Sequence, residues 1–460
     1  MRPATMPKRQ AAMMKYALKE PMMQARPHRE IRARGHQSGF TLVELMIAMA
    51  LVGSLVAAIY GMFARTSDAL IDVDAMSGST DEARFALEMM RNELQSAGAQ
   101  ATPNASVDPW VRPNDSPLYA LMPYADWQND RSVYTGDATL QEIGNRNPQS
   151  AFSGLVVVGA YDFPQSFLIS EVAPASARIE NVERGVGRLL RVDPFDVATN
   201  GEVLLDDADP SAQAVVEAAE FRGLRISDRQ GYMQFVPIND AVISMGAVVL
   251  ATEPIAFRGP GRMSGLESID GADNDYDAAM LDAFWFRVRV DPYDRNNLQL
   301  VRHRLDFGAL QGLGSPTAAD LVGAIAGTTD DEREQNTLVI ANHVADFRVW
   351  FDCANAAGAL EGGPLMVGWN PVSGACLDHP VDGTQPHRAR VAHLRLSMRS
   401  ERERTNRPHF DVSGNAQWLG FEQVNGTMRT YDVDPQHPGA ASVITVQTSV
   451  DLTNFRMRGL

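Results

Sequence analysis

Gly39-Phe40-Thr41-Leu42-Val43-Glu44 is the stretch on which the reading of this chain turns. Glu44 is the only charged residue in the apolar run 40–64. A carboxylate inside a membrane segment costs several kcal/mol unless it finds a partner, so such a residue marks a function. As a helix the run spans about 37 Å, enough to cross a bilayer core of roughly 30 Å. In front of it, residues 1–39 carry nine Lys/Arg and only two acids, Glu20 and Glu30. The positive-inside tendency therefore places 1–39 in the cytoplasm and sends everything after the run outward. An ordinary signal peptide has a shorter apolar core with its cleavage site behind it. Here the plausible cut precedes the run, so the hydrophobic segment stays on the mature chain.

A basic leader, a glycine, a phenylalanine and an acid inside the hydrophobic run together resemble the processing site of type IV prepilins and of the pseudopilins of type II secretion. The resemblance implies that a prepilin peptidase cuts after Gly39 and methylates Phe40. It also implies that Glu44 pairs with the N-terminal amine of a neighbouring subunit and so sets register during assembly, a use of buried polar groups attested elsewhere. A single-pass anchor with a chance glutamate is the plainer alternative. Met13, Met14, Met22 and Met23 offer further possible starts.

After Arg65 the pattern remains helical but becomes amphipathic. Leu70, Val73, Met76, Thr80, Ala83, Leu87, Met90, Leu94 and Ala97 recur at steps of three and four. Gly98 stands where a C-cap is expected and Pro103 follows. One helix over 40–97 is thus expected, roughly 87 Å long, with Gly53 and Gly61 as its points of bending or melting. The segment Asp81-Glu-Ala-Arg-Phe-Ala-Leu-Glu-Met-Met-Arg-Asn-Glu-Leu-Gln-Ser-Ala-Gly98 resembles the same region of PilW-type minor pilins. It reads equally as a helix packing on its own globular domain.

Residues 99–150 hold six prolines without a sustained period and read as an ordered loop region. From 151 to 460 the signals are those of a β-rich head. Strands are expected at 154–161, 167–172, 187–192, 232–236, 241–251, 284–290, 298–305, 338–351, 390–400, 442–450 and 452–457, with a hairpin across 291–297. The Gly/Ala/Asp-rich stretch 308–336 reads as an insertion or inter-domain link, with a short helix at 318–325. Val391-Ala-His-Leu-Arg-Leu-Ser-Met-Arg-Ser400 and Thr445-Val-Gln-Thr-Ser-Val-Asp-Leu-Thr-Asn454 resemble the late core strand and C-terminal strand pair of the PilW family. The expected class is α+β: a long N-terminal pilin helix followed by a large antiparallel β-rich head.

The chain carries a net charge of −16, and removing the +7 leader leaves −23. That balance excludes nucleic acid as a partner of the body, since phosphate binding needs clustered Lys/Arg. The two cysteines, Cys353 and Cys376, both fall in the exported part. In an oxidising periplasm they are expected to form one disulfide, worth roughly 3 kcal/mol in the chain-entropy model. A zinc site built from Cys353, Cys376, His379 and His387 or His393 is the competing reading, although its spacing is irregular.

Asp270, Asp273, Asp275 and Asp277 alternate in a manner that suits the oxygen-rich coordination of calcium. Ala278 stands where an EF-hand-like loop needs glycine and Phe284 where it needs glutamate, so a solvated acidic turn is the other reading. Gly259-Pro-Gly-Arg-Met-Ser-Gly265 lacks the Walker lysine and reads as a turn. No Ser/His/Asp order or Cys/His pair sits in a catalytic context, and no enzyme is expected.

The resemblance implies a minor pilin of the inner membrane, with its head in the periplasm, incorporated into the initiating or tip complex of a type IV pilus. Its implied partners are other minor pilins, the major pilin, the assembly platform, the prepilin peptidase and a PilY-type tip adhesin. A minor pseudopilin of the GspJ kind, or an adhesive or ligand-binding head on a pilin stalk, are the alternatives.

Overall fold

The computed structural model describes residues 41–102, 108, 110–111, 119–124, 140, 142–143, 147, 150, 152–162, 166–173, 176–180, 210–228, 230–244, 247–252, 276–311, 318–354, 360–361, 388–401, 421–422, 427–428, 430–433 and 441–455. The chain divides into two units, Met1–Ser67 and Asp68–Leu460.

Helix α1, Leu42–Ser96, is continuous through Gly53 and Gly61. Within the first unit its Leu42–Ser67 portion is long and apolar enough to span a membrane. Two hydroxyls in this portion turn inward to the helix backbone: Ser54 Oγ donates to Leu51 O at 2.8 Å and Thr66 Oγ1 to Met62 O at 2.9 Å. That is how a hydroxyl is satisfied where water is absent.

In the second unit the buried positions of the helix among the described residues begin at Ala83 and continue through Ala86, Leu87, Met90, Leu94 and Ala97. Leu70 and Val73, placed on the same stripe by periodicity, are each 65% exposed. The pattern gives the face correctly but not where along it the head begins. The helix ends as expected: Gly98 adopts φ +73°, its N–H donates to Val158 O at 2.9 Å, and Asn454 Nδ2 donates to the carbonyls of Gln95 and Ala97. These bonds occupy groups that a helix end otherwise leaves unpaired.

The strands of the larger sheet are β1 (Leu121–Tyr124), β2 (Gly154–Gly159), β3 (Ser166–Ala173), β4 (Ser176–Glu180), β5 (Gly223–Ser227), β6 (Met233–Ser244), β7 (Ala247–Thr252), β8 (Tyr276–Val290), β9 (Leu298–Arg304) and β10 (Thr337–Ala341). β8 carries the architecture. Its second half pairs with β2 and β9, with β1 and β10 outside them. Its first half pairs with β3 on one side and β5 on the other, and the chain of antiparallel pairs β3–β4–β7–β6–β5 returns to β8. Six strands therefore close into a barrel, which removes the free edges that an open sheet would leave. Leu224, Ile226, Val236, Ile238, Val248, Leu250, Tyr276, Ala278 and Met280 fill one core with Val215 and Ala219 of helix α2, Pro210–Ala219.

An ionic cluster sits where β8 passes from barrel to open sheet. Asp282, 1% exposed, accepts from Arg222 Nε and from the N–H of Asp162. Asp162 in turn pairs with Arg222 and Arg304. A buried charge persists only when paired and hydrogen-bonded, and this one joins the start of β5, the end of β2 and the middle of β8.

A second sheet has the order β12–β11–β13–β17–β16, from β11 (Val344–Ala354), β12 (Leu360–Glu361), β13 (Ala389–Arg399), β16 (Thr430–Tyr431) and β17 (Ala441–Asp451). β14 (Phe421–Glu422) and β15 (Thr427–Met428) form a separate pair. The buried face of α1 lies in one core with Leu155, Phe284 and Phe286 of the first sheet and Phe347, Leu394 and Leu396 of the second. Three short helices follow β9: α3 (Phe307–Gln311), α4 (Ala318–Gly323) and α5 (Asp330–Gln335).

The class is α+β, a long apolar N-terminal helix followed by antiparallel sheet. The hairpin across 291–297 is present, with Val290 opposite Leu298. Several details differ from the sequence reading: β1 falls within 99–150, which reads as a loop region, and β4, β5 and α2 are not among the expected elements. The strand at 284–290 begins eight residues earlier, at Tyr276, because the barrel extends it. The run 241–251 is split between β6 and β7. The run 338–351 breaks at Asn342–His343, where His343 takes φ +55°. The terminal strand at 452–457 is instead a 3-10 turn, Thr453–Phe455, whose Phe455 is buried. The strand expected at 187–192 lies outside the described residues.

Candidate assembly site

Thr41 and Glu44 form a reciprocal cap at the start of α1. Glu44 N–H donates to Thr41 Oγ1 at 3.2 Å, while Glu44 Oε2 accepts from both the N–H and the hydroxyl of Thr41 at 3.0 Å. This is a capping box, with Thr41 at the N-cap and Glu44 three residues on. The carboxylate also sits in the first helical turn, where the helix dipole favours negative charge. One of its oxygens is thereby committed within the chain. Sequence reasoning treated Glu44 as a charge awaiting an external partner and missed the Thr-x-x-Glu spacing that provides a local one.

Everything C-terminal to this cap within the apolar run is exposed in the protein, including Leu45, Ile47, Leu51, Val52, Leu55, Val56, Ile59 and Phe63. A Cβ added at Gly53 or Gly61 would meet no atom within 4 Å. Among the described residues nothing covers this surface. Gly39 and Phe40 lie outside the described residues.

Of the remaining sequence candidates, Asp277, Cys353 and His393 are among the described residues. Asp277 lies within β8, where it pairs with Arg225 of β5, and Asp270, Asp273 and Asp275 lie outside the described residues. Cys353 lies on β11, in register with Glu361 and Ala389. Cys376, His379 and His387 lie outside the described residues. His393 stacks on Trp350 with ring centroids 5.1 Å apart, and its Nε2 is 2.9 Å from Asp352. Among the described residues no group of three or more His, Cys, Asp or Glu is arranged to hold a metal ion.

Sequence comparison agrees with the geometry at the N-terminus. The family model of the prokaryotic N-terminal methylation motif matches residues 34–60, which include Gly39, Phe40, Thr41 and Glu44. No curated protein and no solved structure matches the chain. The motif and the apolar helix behind it are consistent with membrane anchoring, and they imply interaction with prepilin peptidase and with pilus or secretion machinery. The chain carries a prepilin-type methylation motif, which supports a type IV pilin-like or pseudopilin protein.

Proposed function

We propose that this protein is a minor pilin of the PilW type, processed at Gly39–Phe40 and built into the initiating or tip complex of a type IV pilus. One observation carries the reading: the methylation motif opens directly into an apolar helix that the described residues leave uncovered. Such a surface needs lipid before assembly and other helices after it. The role is packing rather than catalysis. The helix start enters a bundle of like helices from the inner membrane, Glu44 sets register, and the periplasmic head contributes to the fibre end. Other minor pilins, the major pilin, the assembly platform and a PilY-type tip adhesin are the proposed partners.

The test is mass spectrometry of the mature N-terminus together with sheared pilus fractions. Methylated Phe40 and recovery in pili support the reading. Any other N-terminus overturns the processing, and methylated Phe40 with function only in secretion moves the chain to the GspJ-like pseudopilins.

A further inference from the structure

Strand β10 reads Thr337-Leu-Val-Ile-Ala341, without a charge or a proline. It forms an edge of its sheet: it pairs with β9 and, among the described residues, with no other strand. Natural sheets blunt such edges with lysine, proline, inward-pointing charge or a bulge; β10 has none of the first three, and its register shift falls between Val339 and Ala341, past the 337–339 stretch. Leu338 and Val339 are 42% and 37% exposed.

The register shows which backbone groups face outward. The bond from Arg304 N to Asn336 O makes 336 and 304 a hydrogen-bonded pair. Pairs alternate along an antiparallel ladder, so Leu338 bonds to Arg302, while Thr337 and Val339, opposite His303 and Val301, direct their N–H and C=O away from β9.

Both ends of the edge are acidic. Asp330, Asp331, Glu332 and Glu334 of α5 precede the strand against one base of that helix, Arg333, and Glu334 is paired with Arg289, so the end keeps a net negative charge. Glu82 of α1 accepts from the N–H of Asn342, directly after it, at 2.7 Å. A second copy paired antiparallel on β10 would bring the α5 of each copy against Glu82 of the other, an unfavourable like-charge arrangement. An extended segment with basic residues at its flanks meets the opposite situation.

We propose that the open edge of β10 is a strand-addition site for another protein, which contributes an extended segment with alternating apolar residues and basic flanks. The main-chain bonds run to Thr337 and Val339, and Leu338 and Val339 contact the added side chains on opposite faces. The inference uses only the 68–460 unit and does not depend on the pilus reading, because Gly39–Phe40 processing is measured separately in the same cells.

The test uses the full chain in its native host, with a photoreactive benzoylphenylalanine at Leu338. The expected result is an adduct mapped to an extended, basic-flanked segment of a different protein. In the assembled state the Val339 amide should exchange on the order of tenfold more slowly than in the isolated chain. Val339→Pro removes an outward N–H but no β9 bond, and Val339→Lys adds the charge that edges normally carry. Both should abolish the adduct, and Val339→Lys keeps the test valid if the proline variant fails to fold. No adduct, an adduct to a second copy of this chain, or an adduct unaffected by Val339→Lys in a normally melting protein would overturn the proposal.

Discussion

Thr41 and Glu44 bond to each other through three contacts of 3.0–3.2 Å, so the acid of the apolar run is already part of the helix start within one chain. The cap and the charge can therefore be separated experimentally. Glutamine at the third helical position can keep the reciprocal cap, so Glu44→Gln removes only the charge. Thr41→Val removes the cap and leaves the charge, at a cost of about 1 kcal/mol in helix stability. We expect Glu44→Gln to be cleaved normally but poorly recovered in sheared pili, with Thr41→Val less affected. Equal recovery of Glu44→Gln and wild type would remove the registration role.

The boundary of helix packing predicts a contrast along one stripe. Leu94, fully buried, should lose about 2–5 kcal/mol on substitution by alanine. Leu70→Ala, at an exposed position, should stay within about 0.5 kcal/mol of wild type. Thermal or denaturant unfolding of the detergent-solubilised chain measures both. A large effect at Leu70 would mean that the head covers more of the helix than its burial shows.

Asp282 should not tolerate loss of its charge. Asp282→Asn leaves Arg222, 2% exposed, with Asp162 still beside it but without its buried carboxylate, and losing that charged hydrogen bond should cost roughly 1.5–3 kcal/mol. The barrel and the open sheet meet at this residue, so limited proteolysis should cut first between them. Wild-type protease resistance in the variant would show that strand pairing alone holds the junction.

His303 predicts a pH dependence. Its Nε2 is 3.0 Å from Arg287 Nε, which can only donate, so Nε2 accepts and Nδ1–H donates to Thr337 Oγ1 at 2.7 Å; Thr337 in turn donates to Arg333 O. Burial, then the Arg287 and Arg289 charges, push the imidazole from 6.5 down to about 2. A depressed folded-state value means that the unfolded chain binds the extra proton. This contribution is therefore present above pH 6.5 and is lost as pH falls toward 2. Between pH 7.5 and 5.5 it should remove about 1.4 kcal/mol. His303→Gln should flatten that part of the stability curve, and an unchanged slope would exclude His303 as its source.

Non-reducing peptide mapping of protein from the periplasm should join Cys353 to Cys376. Reduction should then lower stability by roughly 3 kcal/mol. Two free thiols would refute the pairing and return the zinc reading to consideration.

Much of the helix was legible in the sequence because it depends on local rules. One charge in an apolar run, a 3.6-residue stripe and a glycine free to take φ +73° specify its course and end without reference to the rest of the chain. The 291–297 hairpin was legible for the same reason: its two strands are adjacent and alternate. The barrel was not. Its closure requires β8 to leave one sheet and enter another, and β5 to meet it across more than fifty residues. Alternation tells a strand which face is buried but not which strand lies beside it. Asp277 shows this most plainly. Read alone, it is one of four acids in a polar run; in the fold it belongs to a strand, and its partner is Arg225, which only barrel closure brings within reach.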